Sequence, residues 1–265
     1  MSRRGIKDSR AIVTGASSGI GRALAAELAR RGAKVVVNAR RAERLEELKH
    51  ELEGQERIAA GSIEIVAGDI TVDDTRKELI ERARQAFGGF DILVNNAGIG
   101  AFGRFDEASA ERLTQIMDVN FFAVAELTRL ALPVLKEGRR PIVVNIGSIL
   151  GHRGLPRTSE YCASKFALRG WTEALRVELS PQNIDVLLVS AGTTETEFYD
   201  RVIEGRGGAP WDRRFGVTAE MVAKKTVRAI GKGKREIFTN MPGRLLIWFS
   251  KWLPGVVDRG MRKYA

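Results

Sequence analysis

Residues 11–33 read AIVTGASSGIGRALAAELARRGA, and this stretch decides the fold. Its first residues are apolar or β-branched, as a buried strand requires, and the run from Gly19 to Arg31 is helical in pattern and closed by Gly32. Between strand and helix fall Gly15, Gly19 and Gly21. Glycine lets the chain bend sharply there and lets a pyrophosphate approach the helix N-terminus, whose unpaired N–H groups and dipole attract anions. The spacing T-G-x-x-x-G-x-G in this setting points to a dinucleotide cradle made of Gly15, Ser17, Ser18, Gly19, Ile20 and Gly21. A tight structural turn is the plainer alternative.

Outward from this unit, KVVVN, IEIVA, DILVN, PIVVNI, IDVLLVS and a weaker REIFT repeat the apolar strand pattern. Helical stretches separate them, at roughly Arg41–Glu53, Val72–Phe87, Ser109–Lys136, Ser159–Ser180 and Thr218–Gly231. Near-continuous apolar strands need cover above and below. The expectation is therefore an α/β, doubly wound seven-stranded parallel sheet, Rossmann-like, with helices on both faces. One domain over residues 1–240 accounts for the pattern, with 241–265 as an amphipathic basic extension. The stretch from Thr193 to Phe215 has no clear pattern and reads as a loop over a site.

Composition narrows the class. The formal charge is +10, but residues 1–220 hold 32 basic and 31 acidic residues, whereas 221–265 hold 11 and 2. The excess belongs to the C-terminus, in a stretch with no recognised nucleic-acid module, so no nucleic-acid partner is expected. The single cysteine, Cys162, permits no internal disulfide and fits a reducing, cytoplasmic setting. No Cys/His cluster has metal spacing, no apolar run has membrane-spanning length, and the first ten residues lack a secretory pattern.

After the second strand, where an acidic side chain would accept bonds from an adenosine ribose, the sequence has Ala39 and then Arg40 and Arg41. Guanidinium groups suit a 2′-phosphate, with Ser17 as a helper, so NADP(H) is expected over NAD(H).

In EYCASKFAL, residues 160–168, Tyr161 and Lys165 lie one helical turn apart. A phenol titrates near pH ~10, and a neighbouring ammonium is expected to bring it toward working pH. Ser148, thirteen residues upstream, ends a strand and can hold the carbonyl oxygen that Tyr161 protonates. Each residue alone reads more plainly as a packing aromatic, a surface charge and a turn residue. Joined to the nucleotide loop, the three point to hydride-transfer chemistry.

TGASSGIG, GDI, NNAG, Asn120, IGS, YCASK and AGTTET follow one another in the order seen in a known family. The chain resembles a short-chain dehydrogenase/reductase of the single-domain branch, over nearly all of its length to about residue 198. The resemblance implies a catalytic tetrad of Asn120, Ser148, Tyr161 and Lys165, with Asn120 bending its helix to hold a relay water and Lys165 gripping the nicotinamide ribose. It further implies that Asp69 and Ile70 meet the adenine end, that Asn96, Ala97 and Gly98 line the cleft, and that Gly192, Thr194 and Thr196 meet the carboxamide. Ala191 replaces the family's usual proline before Gly192. A homodimer or homotetramer is implied in the same way. A non-catalytic NADP(H)-binding regulator or redox sensor is the rival reading, against which the complete Ser-Tyr-Lys set argues.

Cys162 reads as a packing residue, His152 as a solvated loop residue ahead of a pocket-lining one, and His50 as surface. In MPGRLLIWFSKWLPGVVDRG, Trp248, Phe249 and Trp252 share an amphipathic helix with Arg244 and Lys251. This helix either covers the substrate pocket, enters a subunit interface, or lies on an anionic membrane surface as a peripheral anchor, the packing readings standing ahead of the membrane one. Its apolar side hints at a hydrophobic carbonyl or alcohol substrate.

Overall fold

The computed structural model describes residues 4–200, 202–203 and 216–264. Seven strands form one parallel sheet in the order β3-β2-β1-β4-β5-β6-β9. They are β1 (Arg10–Thr14), β2 (Lys34–Ala39), β3 (Ile63–Ala67), β4 (Ile92–Asn95), β5 (Ile142–Ser148), β6 (Asp185–Ala191) and β9 (Glu236–Phe238). Two further short strands, β7 (Thr194–Glu195) and β8 (Val217–Thr218), pair apart from it. Most of the stretch from Thr193 to Phe215, with Gly205, Gly207 and Gly208, lies outside the described residues.

The sheet is buried on both sides because its side chains alternate between two apolar layers. Ala11, Val13, Val35, Val37 and Val94 face one layer, against Leu24 and Leu28 of α1 (Gly19–Arg30), Leu45 and Leu48 of α2 (Ala42–Glu53), and Val227 and Ile230 of α7 (Ala219–Gly231). Ile12, Val36, Leu93 and Val143 face the other, against Leu79 of α3 (Asp73–Phe87), Leu127 and Ala131 of α5 (Ala123–Leu135), and Leu175 of α6 (Ser159–Glu178).

The stretch expected as one helix over Ser109–Lys136 is divided. α4 (Ala110–Met117) passes through a π-helical turn at Asp118–Phe122 before α5 begins. A wider turn of this kind re-aims the side chains within it, and here it turns Asn120 fully inward. The C-terminal stretch folds as α8 (Met241–Trp252) and α9 (Pro254–Met261). Among the described residues, no helix is long and apolar enough to cross a membrane.

One buried carboxylate locks the base of β4. Asp91 accepts bonds from the Arg10 side chain at 2.7 and 3.2 Å, from Arg10 N–H at 2.9 Å and from Arg139 N–H at 2.7 Å. Burial favours its protonated form, but these donors outweigh burial and hold it below the ordinary carboxylate value. The resulting stability is complete above pH ~3.9 and is lost as the pH falls through the lower folded value. Asp91→Asn is expected to cost about 3 kcal/mol in urea unfolding at neutral pH. The variant should also lose less stability than the parent between neutral and acidic pH.

Candidate active site

β1 and β4 are neighbours whose chains leave the sheet in opposite directions, which opens a crevice at their C-terminal ends. Thr14 Oγ1 accepts from the N–H groups of Asn96 and Ala97, each at 3.0 Å, and Asn96 Nδ2 donates to the carbonyls of Thr14 and Gly15 at 2.9 and 3.2 Å. These bonds fix the two loops at the crevice floor. Gly15 takes φ +67°, a left-handed conformation suited to glycine, and a methyl group on Gly21 would lie 2.2 Å from the Gly15 carbonyl. Gly21 therefore sits beneath the cradle rather than on its wall.

The crevice is a cleft of about 570 Å³. Its walls include Gly15, Ser17, Ser18, Gly19, Ile20, Arg40, Asp69, Ile70, Asn96, Ala97, Gly98, Ser148, Tyr161, Lys165, Gly192, Thr194 and Thr196, the residues singled out from the sequence apart from Gly21 and Asn120. α1 opens into it with no acidic residue in its first turn and no side-chain bond from Ser18 to its backbone N–H groups. That is the arrangement an anion requires.

The two arginines after β2 differ. Arg40 has 74% of its side chain in solvent and only approaches Asp69, at 3.9 Å. Arg41, 25% exposed, donates to Ser17 Oγ at 2.9 Å and to Ser18 Oγ at 3.3 Å. Glu197 lies 3.5 Å from Arg41 and 3.9 Å from Arg44. Sequence reasoning missed Glu197, because its partners lie more than 150 positions away.

Across the switch point, Ser148 at the tip of β5 accepts from Leu150 N–H at 3.1 Å and hydrogen-bonds with the Tyr161 hydroxyl. Lys165 Nζ lies 5.7 Å from the centre of the Tyr161 ring and donates to the Ile146 carbonyl at 3.1 Å. The expectation that the ammonium lowers the phenol is not met: burial, which strips water from a phenolate, pushes Tyr161 above its ordinary value, and the Ser148 bond only partly opposes it. Burial also lowers Lys165, to about 8. Tyr161 is therefore a phenol with a proton to give at neutral pH.

Asn120 lies behind this group. Its Oδ1 accepts from Ile99 N–H at 2.9 Å, and its Nδ2 donates to the Ile99 carbonyl at 3.0 Å and to Ser164 Oγ at 3.0 Å. Ser164 in turn donates to the Tyr161 carbonyl at 2.8 Å, so the π-helical turn braces the start of α6. Glu160, beside Tyr161, forms a buried pair with Arg112 at 2.5 Å that ties α4 to the same turn of α6. No local sequence pattern marks that pair.

His152 corrects its reading. Its ring, 4% exposed, is neither solvated nor on the cleft wall; Nε2 lies 2.8 Å from Ser190 Oγ and 3.1 Å from Glu236. The ring joins the segment after Ser148 to β6 and β9. Cys162 is buried beside Thr158, and His50 is exposed on α2.

The C-terminal helices complete the cleft with Pro242, Gly243 and Leu246 of α8, Met261 of α9, and Tyr264. With Phe102, Leu155, Phe198 and Tyr199 they make the wall beside Tyr161 largely apolar. Among the described residues, no cluster of His, Cys, Asp or Glu could hold a metal ion.

Comparison with known proteins agrees with this geometry. A profile described as short chain dehydrogenase matches residues 9–207. Hydroxysteroid 11-beta-dehydrogenase 1-like protein B of Xenopus laevis is 32% identical over 271 residues, covering 99% of this chain and 89% of that protein. Among solved structures, a short chain dehydrogenase/reductase from Burkholderia phymatum in complex with NAD superposes with a TM-score of 0.85 at 25% identity, over 96% of both chains. A short chain dehydrogenase from Burkholderia cenocepacia in complex with NADP gives 0.77 at 30% identity, over 89% of this chain and 97% of that one. A cradle after β1, a Ser-Tyr-Lys group after β5 and a match spanning most of the sequence together make this chain a member of the short-chain dehydrogenase/reductase family of oxidoreductases.

Proposed function

We propose that the chain interconverts an apolar ketone or aldehyde and the matching alcohol, using NADP(H). The observation that carries the reading is the meeting of Ser148, Tyr161 and Lys165 on one side of the switch point, in the same cleft as the anion-binding loop on the other. When bound, the nicotinamide cofactor supplies or accepts a hydride. In the reducing direction Tyr161 gives its phenolic proton to the carbonyl oxygen, and Ser148 holds that oxygen by a hydrogen bond as its charge grows. A protonated Lys165 favours the phenolate left behind.

The solved relatives carry NAD in one case and NADP in the other, so the preference rests on this chain's own residues. Arg41 bonded to Ser17 and Ser18 suits a 2′-phosphate. Glu197 fills the anion's place beside Arg41, and a phosphate would exchange with it. The apolar wall supports a hydrophobic substrate, as does the hydroxysteroid name of the Xenopus relative. Self-association belongs to the same reading, with Leu113, Phe122 and Phe166 exposed on the adjoining α4, π-helical turn and α6.

An NADPH-oxidation screen over carbonyl compounds graded in size and polarity tests this function. Turnover should rise with apolar bulk, and absence of turnover on every compound defeats the reading. Tyr161→Phe should lower kcat by roughly a hundredfold or more while leaving NADPH binding intact. For the parent enzyme, kcat/KM for reduction should hold at neutral pH and fall as the pH rises through about 8, where Lys165 loses its proton. Arg41→Ala should weaken NADPH binding by about 10- to 100-fold and NADH binding far less. Glu197→Gln should tighten NADPH binding alone. Equal effects on the two cofactors in calorimetric titration would contradict the phosphate assignment.

A further inference from the structure

α8 has two working faces. Gly243, Leu246 and Ser250 lie on its inward face, where Gly243 and Leu246 line the cleft together with the neighbouring Pro242. On the opposite side Met241, Leu245, Trp248, Phe249 and Trp252 are exposed, Trp252 at 66%. At helical spacing these five span an arc of about 100°, with Arg244 and Lys251 along one edge. Leu253 and Val256 extend the exposed apolar surface into the start of α9. From residue 241 onward the basic residues are Arg244, Lys251, Arg259, Arg262 and Lys263, against one acid, Asp258, which is paired with Arg153. An ordinary solvated helix does not turn two tryptophans and a phenylalanine to water beside an excess of positive charge. An amphipathic helix at a bilayer interface does, with aromatic rings at headgroup depth and basic residues toward anionic lipid.

We propose that the outer face of α8 and the start of α9 docks on an anionic lipid bilayer. The cleft wall that these helices form is then held at the membrane, so that an apolar substrate can pass from the lipid into the space beside Tyr161. This second part rests on the apolar-substrate reading; docking itself does not.

The test is co-sedimentation of the full chain with vesicles of phosphatidylcholine alone or mixed with phosphatidylglycerol. Binding to the mixed vesicles should exceed binding to phosphatidylcholine by at least about tenfold and weaken with added salt. Combined Trp248→Ser, Phe249→Ser and Trp252→Ser should reduce binding about tenfold or more. Arg244→Gln with Lys251→Gln should remove most of the preference for anionic lipid. None of these five side chains lines the cleft, so circular dichroism and NADPH binding should match the parent. Failure of the parent to sediment with either vesicle, or equal sedimentation by the triple variant, overturns docking. So does a parent dimer that binds no vesicle and that the triple variant dissociates, because the face then belongs to a second copy. Vesicle binding without turnover of any apolar carbonyl compound upholds docking and removes the substrate reading instead.

Discussion

Thr14 accepts two backbone N–H bonds from the loop after β4, and Asn96 returns two bonds to the loop after β1. Those four bonds hold together two chains that must diverge, because right-handed crossovers from adjacent parallel strands run to opposite faces of the sheet. The divergence creates the crevice, and the bonds keep its floor from collapsing or spreading. Every element of the proposed chemistry is placed relative to that floor. The mouth of α1 lies on one side, the tip of β5 on the other, and the first turns of α6 lie above it.

Burial governs the electrostatics at the far side. A lysine one turn from a tyrosine is a familiar way to ease a phenol's ionisation, yet here desolvation acts on both groups and raises one while lowering the other. The consequence is directional. A tyrosine that keeps its proton beside a serine hydrogen bond is prepared to protonate a carbonyl oxygen, and a lysine lowered to about 8 is still mostly charged at neutral pH. The buried bonds of Asn120, Ser164, Glu160 and Arg112 spend their geometry on the start of α6, so the phenol is held in place by groups that never reach the cleft.

The seven strands were legible because a parallel sheet covered on both faces demands near-continuous apolar runs. The glycine cradle and the Tyr161–Lys165 pair were legible for a related reason, since each is set by spacing within one element. Contacts between distant elements were not. The π-helical turn at Asn120 is completed by the backbone of Ile99, and His152 is buried by Ser190 and Glu236, which lie on two other strands. The choice between Arg40 and Arg41 turns on which side chain leaves the end of β2 toward the cradle. The C-terminal helix declared its amphipathic character in the sequence, but only the fold shows that its inner side closes the cleft while its aromatic side faces outward.

Diffraction from crystals grown with NADPH tests the central claim most directly, that the crevice between β1 and β4 is built for a nicotinamide dinucleotide. The account predicts pyrophosphate density over the N-terminus of α1, the adenosine phosphate at Arg41 with Glu197 displaced, and the nicotinamide ring beside Tyr161 and Lys165. Dinucleotide bound anywhere else on the chain, or bound in the crevice with its nicotinamide turned away from Tyr161, would contradict it.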